Sequence, residues 1–215
     1  MTGTFITFEG PDGAGKTSVL NTLIPKLKAC SVTSVHLTRE PGGAKISEMI
    51  RDVILDPKNM AMDARTEALL YAASRRQHLV EVIQPALAHG DIVVCDRFVD
   101  SSVAYQGGGR QIGTQAVLQM NQFATAGLEP DLTVYLDVPV QVGLDRIMAH
   151  QGERQYDRLD QESLAFHERV HAAYMKLVAD NPKRIVTVDA TQPLAAVVTA
   201  AFMTITERFP ELFAK

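Results

Sequence analysis

The chain has 215 residues, 46% of them hydrophobic and 21% charged, with a formal net charge of −4. That length suits one domain with a substantial core, and the composition excludes a disordered or low-complexity polypeptide. The acidic balance excludes a general nucleic-acid binder, whose footprint would be basic, and no apolar window is long enough to cross a bilayer. The N-terminal residues show no cationic region followed by an apolar stretch, and Cys30 and Cys95 are the only thiols. A cytoplasmic chain with reduced cysteines, no membrane partner and no nucleic-acid partner is therefore expected.

The first predicted element is a β-type run, Thr4–Glu9. It leads into Gly10-Pro11-Asp12-Gly13-Ala14-Gly15-Lys16-Thr17, an unbroken G-x-x-x-x-G-K-[ST] phosphate loop, and a helix is predicted over Gly15–Ala29. Strand, glycine-rich turn and helix N-terminus let backbone N–H groups converge on phosphate oxygens. Lys16 then reaches the β/γ-phosphates and the Thr17 hydroxyl suits Mg²⁺, so a nucleoside triphosphate such as ATP is the expected ligand. A second strand, Ser34–Arg39, runs into Thr38-Arg39-Glu40-Pro41-Gly42-Gly43, and helices follow over Ala44–Leu55 and Asp63–Ala88, the latter stopped at Gly90. Tyr71 and Arg75 lie four residues apart on that helix and share a face, where a ring and a guanidinium suit a nucleobase.

The third strand, Ile92–Asp96, ends in Asp96-Arg97, whose acid is a Walker-B-like partner for Mg²⁺ and its water shell. Ser101, Ser102, Tyr105 and Gln106 follow, with hydroxyl and amide groups suited to a sugar or base edge, and then a Gly-rich loop ending at Arg110. A helix over Thr114–Ala126, a strand over Leu132–Asp137 and a helix over Val140–His150 come next. Residues 150–158 are polar, glycine-containing and nearly free of core residues, which reads as a lid carrying Arg154 and Arg158. A helix over Asp160–Ala179, a strand over Arg184–Asp189 and a helix over Leu194–Phe209 complete the chain.

Near-continuous Ile, Val, Leu and Phe in strands separated by helical crossovers predict an α/β fold with a parallel sheet buried on both faces. No linker divides residues 1–215, so one domain is expected. The strands end in charged residues, which aims them at one cleft beyond their carboxyl ends. A phosphate acceptor is already nucleophilic and needs its charge neutralised, which forked arginines do best. Arg39, Arg97, Arg110, Arg154 and Arg158 supply that chemistry. His167-Glu168-Arg169-Val170-His171 also satisfies H-E-x-x-H, but no third ligand follows at metzincin spacing, and an apolar stripe through Phe166, Val170, Tyr174 and Leu177 explains the helix.

Phe8–Thr17, Thr38–Gly43, Tyr71-Ala72-Ala73-Ser74-Arg75-Arg76-Gln77-His78, Asp96-Arg97-Phe98, Ala104–Arg110, Pro130–Asp137 and Asp157-Arg158, in this order, resemble the thymidylate kinase family. The resemblance runs essentially end to end. It implies the P-loop nucleoside monophosphate kinase fold, a five-stranded parallel sheet flanked by helices, and a homodimer. It also implies transfer of the ATP γ-phosphoryl to dTMP, giving dTDP for dTTP biosynthesis.

By position, Gly10, Pro11, Asp12, Gly13, Ala14, Gly15, Lys16 and Thr17 match the ATP-binding loop, with Asp12 near the acceptor phosphate and metal. Tyr71 matches an aromatic, commonly Phe, that stacks on thymine, and Arg75 an arginine on the base edge. Arg39 and Arg97 match groups near the dTMP phosphate, while Ser102, Tyr105 and Gln106 fall in the sugar and base region, Tyr105 where a ribose 2′-OH would crowd. Glycine at position 13, where some members carry arginine, points to the bacterial subtype whose catalytic arginine comes from the lid, here Arg154 or Arg158. Ser74, where an acid is frequent, and Tyr71 depart from the pattern. A deoxynucleoside kinase with Glu40 as base, and a regulatory P-loop ATPase, are the alternatives. Pro11 counts against the second, because partition-type switches place a lysine there.

Overall fold

The computed structural model describes residues 3–149 and 158–214, apart from the side chain of Asp160. Five parallel strands, β1 (Thr4–Glu9), β2 (Val35–Arg39), β3 (Ile92–Asp96), β4 (Leu132–Asp137) and β5 (Ile185–Asp189), form one sheet in the order β2-β3-β1-β4-β5. This matches the strand set expected from the apolar runs. The pairing sets Phe8 beside Asp96, Arg39 beside Asp96, Glu9 beside Tyr135 and Asp137 beside Asp189, so the charged carboxyl ends lie at one edge.

Helices cover both faces. Helix α1 (Lys16–Cys30) buries Val19, Leu20, Leu23 and Leu27 against Ile6 and Phe8 of β1, with α9 (Leu194–Arg208) beside it. On the other face, Phe5 and Val93 pack against Leu79, Ile83 and Leu87. A further cluster joins Tyr135 of β4 to Tyr105 and to Phe166, Val170 and Tyr174 of α8 (Leu164–Asp180). The remaining α-helices among the described residues are α2 (Lys45–Leu55), α3 (Ala64–His78), α4 (Gln84–Ala88), α5 (Val99–Ser102), α6 (Thr114–Thr125) and α7 (Val140–Ala149).

Three local expectations are corrected. The single helix expected over Asp63–Ala88 contains a π-helical stretch, Leu79–Ile83, between α3 and α4. Pro85 has no N–H to give the carbonyl four residues back, and a wider turn just before it absorbs the mismatch. The Gly-rich stretch read as a loop is also helical: α5 continues as a π-helix over Val103–Gly109. Its glycines are there for packing, since a Cβ on Gly108 would lie 2.7 Å from the Ala173 Cβ and one on Gly109 would lie 2.6 Å from the Phe166 ring. The helix expected from Asp160 starts instead at Leu164, capped by the Ser163 hydroxyl, after a 3₁₀ turn at Arg158–Gln161. Residues 150–157 of the expected lid, Arg154 among them, lie outside the described residues.

Candidate active site

The phosphate loop joins β1 to α1 through positive φ angles at Gly10, Gly13 and Gly15. The Lys16 ammonium folds back on the loop, donating to the carbonyls of Gly10 at 2.9 Å and Pro11 at 3.0 Å. Burial, and then the Arg97 guanidinium, lower its pKa to about 8, against the pull of Asp96, Asp12 and Glu9. Asp12 through Val19 line a cleft of about 660 Å³, within the size range of small-molecule sites.

Arg97 crosses from the end of β3 to this loop. It is a non-glycine residue at φ 69, a strained conformation of the kind found where a side chain must be aimed. Its Nη1 donates to the Gly10 carbonyl at 3.1 Å and the Ser101 hydroxyl at 3.1 Å, and its Nη2 donates to Asp12 Oδ1 at 2.6 Å. The guanidinium also lies 4.9 Å from the centre of the Tyr105 ring, whose hydroxyl donates to Asp12 Oδ2 at 2.8 Å. Burial alone would raise the Asp12 pKa, but Arg97, Lys16 and the Tyr105 hydroxyl together hold it below the usual carboxylate value.

The second wall of the cleft carries Arg39, Tyr71, Arg75, Ser102 and Gln106. The sequence placed all of these near an acceptor nucleotide, and the structure brings them together with Arg97. Arg75 is buried and fully engaged: Nε donates to Glu40 Oε2 at 2.7 Å, Nη1 to the Ser102 hydroxyl at 3.1 Å and to Asn121, and Nη2 to the Phe98 carbonyl at 3.0 Å. Glu40 is equally committed, because His78 Nδ1 lies 3.0 Å from its other oxygen. A carboxylate so paired is not poised as a base. Arg39 is half-exposed and bridges the Pro41 carbonyl and Glu48.

Two expected arginines lie elsewhere. Arg110 and Arg158 both pair with Glu67, a fully buried carboxylate of α3 that also accepts from Gln106. Burial would raise the Glu67 pKa, yet Arg110, Gln106 and Arg158 hold it below its ordinary value. Arg158 also donates to the Ile54 carbonyl at 3.1 Å, and neither arginine lines the cleft. The cause is the cost of an uncompensated buried charge: Glu67 captures the cations that the sequence assigned to phosphate. The H-E-x-x-H residues lie on α8, His167 buried edge-on to the Phe166 ring and His171 Nε2 3.0 Å from Asp137. Among the described residues, the group able to share an ion is Glu40, His78 and Cys95 instead, and Arg75 already occupies its carboxylate.

Thr17 and Asp96 both line the cleft beside Lys16. Asp96 Oδ1 is buried with no hydrogen-bond partner among the described residues, as a carboxylate reserved for a cation or its water shell would be. This donor set fits Mg²⁺. Sequence reasoning missed the far wall of Arg146, Ile147, Ala190, Gln192 and Leu194. Arg146 is tied there by its donation to the Ala190 carbonyl at 3.0 Å. It also missed Glu9 as a hub beneath Arg97: burial, then the charge of Asp100, raise the Glu9 pKa to about 7.

Comparison with known proteins identifies the family. A family model described as thymidylate kinase matches residues 8–201. A thymidylate kinase of Lacticaseibacillus casei (strain BL23) is 82% identical over 213 residues, covering 99% of this chain and 100% of that protein. One from Latilactobacillus sakei is 62% identical over 213 residues, with 99% of each covered. The crystal structure of thymidylate kinase from Ehrlichia chaffeensis superposes with a TM-score of 0.76 at 31% identity, covering 96% of this chain and 99% of that one.

Proposed function

The chain belongs to the thymidylate kinase family and phosphorylates dTMP to dTDP with ATP, and from that premise we propose how its residues divide the work. The single observation that carries the division is the Arg97 guanidinium, which touches the phosphate loop at Gly10 and Asp12 while lining the acceptor wall. It stands where the phosphates of donor and acceptor must meet.

The loop amides and Lys16 hold the β- and γ-phosphates, Lys16 exchanging its carbonyl partners for phosphate oxygens. Thr17 and Asp96 would hold Mg²⁺, which neutralises charge on the β- and γ-oxygens. Arg146 and the Ala190–Leu194 stretch bound the side of the cleft left for the donor base. Arg97, with Arg39 nearer the mouth, receives the dTMP phosphate, and Tyr71, Arg75, Ser102 and Gln106 frame its base. Tyr105 lies at the sugar, where its ring crowds a 2′-hydroxyl, and Asp12, paired with Arg97, lies at the acceptor phosphate.

The acceptor oxygen bonds to the γ-phosphorus as the bond to the β–γ bridging oxygen breaks and ADP leaves. No base is required, since the acceptor arrives as a phosphate anion. This suits a cleft in which Glu40 is already committed to Arg75 and His78. The deoxynucleoside-kinase alternative loses its base for the same reason. Arg154 is proposed as the arginine added by the lid expected at residues 150–158, and Arg158 is held by Glu67.

The arrangement is one P-loop domain that pairs as a homodimer. Supporting the dimer, Ile46, Met49 and Val53 form an exposed apolar stripe on α2, Leu69 is exposed on α3, and Phe123 on α6 is 91% exposed. A cytoplasmic location is supported by Cys30 and Cys95, which are not joined in a disulfide. A turnover panel with Mg-ATP across nucleoside monophosphates and thymidine tests the reading. dTMP should react far faster than thymidine, and a preference for thymidine would reverse it.

A further inference from the structure

Glu9 ends β1 beneath the cleft, fully buried and outside its lining. Its Oε1 accepts from the backbone N–H of Phe98 at 2.7 Å and of Ser101 at 3.3 Å. Its Oε2 accepts from the Ser101 hydroxyl at 2.5 Å and the Tyr174 hydroxyl at 2.8 Å. Those same two hydroxyl oxygens face Arg97 Nη1, at 3.1 Å and 3.4 Å. Ionised, as it is above its folded-state pKa of about 7, the Glu9 carboxylate can only accept, so it draws both hydroxyl protons to itself and leaves the lone pairs turned towards the guanidinium. The Phe98 bond meanwhile pins the residue that follows the strained backbone of Arg97.

We propose that Glu9 is a positioning residue for the acceptor phosphate: it sets the polarity of Ser101 and Tyr174 so that both accept from Arg97 and hold it over the phosphate loop. The inference rests on Arg97 being the acceptor-phosphate arginine, as argued above. Glutamine at position 9 keeps the shape but adds an NH₂ donor. That donor turns one or both hydroxyl protons round, and they then point at a cation. Ser101 and Tyr174 reach Glu9 from α5 and α8, so the device joins three elements far apart in the chain.

The test is steady-state kinetics at about pH 8, where Glu9 is ionised, on Glu9→Gln, Arg97→Ala and the double variant Ser101→Ala/Tyr174→Phe, each varied in dTMP and in Mg-ATP. Glu9→Gln should raise the dTMP KM about tenfold or more, the loss expected when hydrogen bonds to a charged group fail. Its Mg-ATP KM should stay within about twofold, which a general loss of structure would not allow. In the Ser101→Ala/Tyr174→Phe background, adding Glu9→Gln should cost little more, because the hydroxyls that transmit the effect are gone. An impaired Arg97→Ala beside a Glu9→Gln enzyme with wild-type dTMP KM, or fully additive losses, would overturn the role of Glu9 and leave that of Arg97 standing. A near-normal Arg97→Ala would overturn the underlying reading instead. If Glu9→Gln does not fold, the Ser101→Ala/Tyr174→Phe enzyme decides: a raised dTMP KM supports the relay, and an unchanged one refutes it.

Discussion

A Cβ placed on Gly13 would fall 2.0 Å from the carbonyl oxygen of Gly143, so the phosphate loop lies hard against α7. Gly13 also sits at φ 76, where side chains are strained. No arginine fits at this position, as the relatives that carry one in the loop would require. Gly13→Ala should cost at least about 1–3 kcal/mol from backbone strain, with more from the clash, and should weaken Mg-ATP binding before dTMP binding. Thermal denaturation and the two KM values check this.

Arg75 and Glu40 are both buried, at 2% side-chain exposure each, and their pairing is a structural requirement before it is a recognition device. Arg75→Ala leaves the Glu40 carboxylate with His78 alone. A loss of about 3–5 kcal/mol is expected, the usual effect of removing one partner of a buried pair, and chemical denaturation measures it. Retained stability with a raised dTMP KM would assign Arg75 to the base edge only.

Glu67 gives a similar expectation for Arg158. Arg158→Ala should lower the melting temperature, because Glu67 loses one of its buried cations, while Arg110 and Gln106 still satisfy it in part. A fall in kcat with no change in melting temperature would return Arg158 to the catalytic role that the sequence suggested.

The buried Glu9 makes stability depend on pH in a definite direction. Its value in the folded chain, about 7, lies above the ordinary 4.5. Between these values the folded chain keeps a proton that the unfolded chain has released, so stability falls as pH rises through that window. The penalty is complete above the folded value and absent below the unfolded one. Glu9→Gln removes it, so the variant's melting temperature should gain on wild type between about pH 5 and about pH 8. An equal difference at both ends would show that Glu9 is ionised in both states.

What could be read in the sequence was what depends on local pattern. The strands, the phosphate loop and the acidic or basic residue closing each strand follow from apolar runs and glycine placement, and in-register pairing then aligns those ends. Arg97, Asp12, Tyr105 and the Tyr71–Arg75 face meet as expected in one cleft. Pairings across long separations were not legible. Glu67 takes Arg158, 91 residues away, and Tyr174 reaches Glu9 across 165, and nothing in the local sequence marks either acid as a buried hub. The glycines at 107–109 misled because glycine signals both turns and close packing, and only the facing side chains of α8 and α6 decide which.

The central claim is that Arg97 holds the acceptor phosphate beside the triphosphate loop, and initial-rate kinetics of Arg97→Ala at saturating Mg-ATP test it most directly. The account predicts a fall in kcat/KM for dTMP of about a hundredfold or more, from the loss of charge-assisted bonds to phosphate, with the fold intact by circular dichroism. A folded variant that turns over dTMP at close to the wild-type kcat/KM would contradict it.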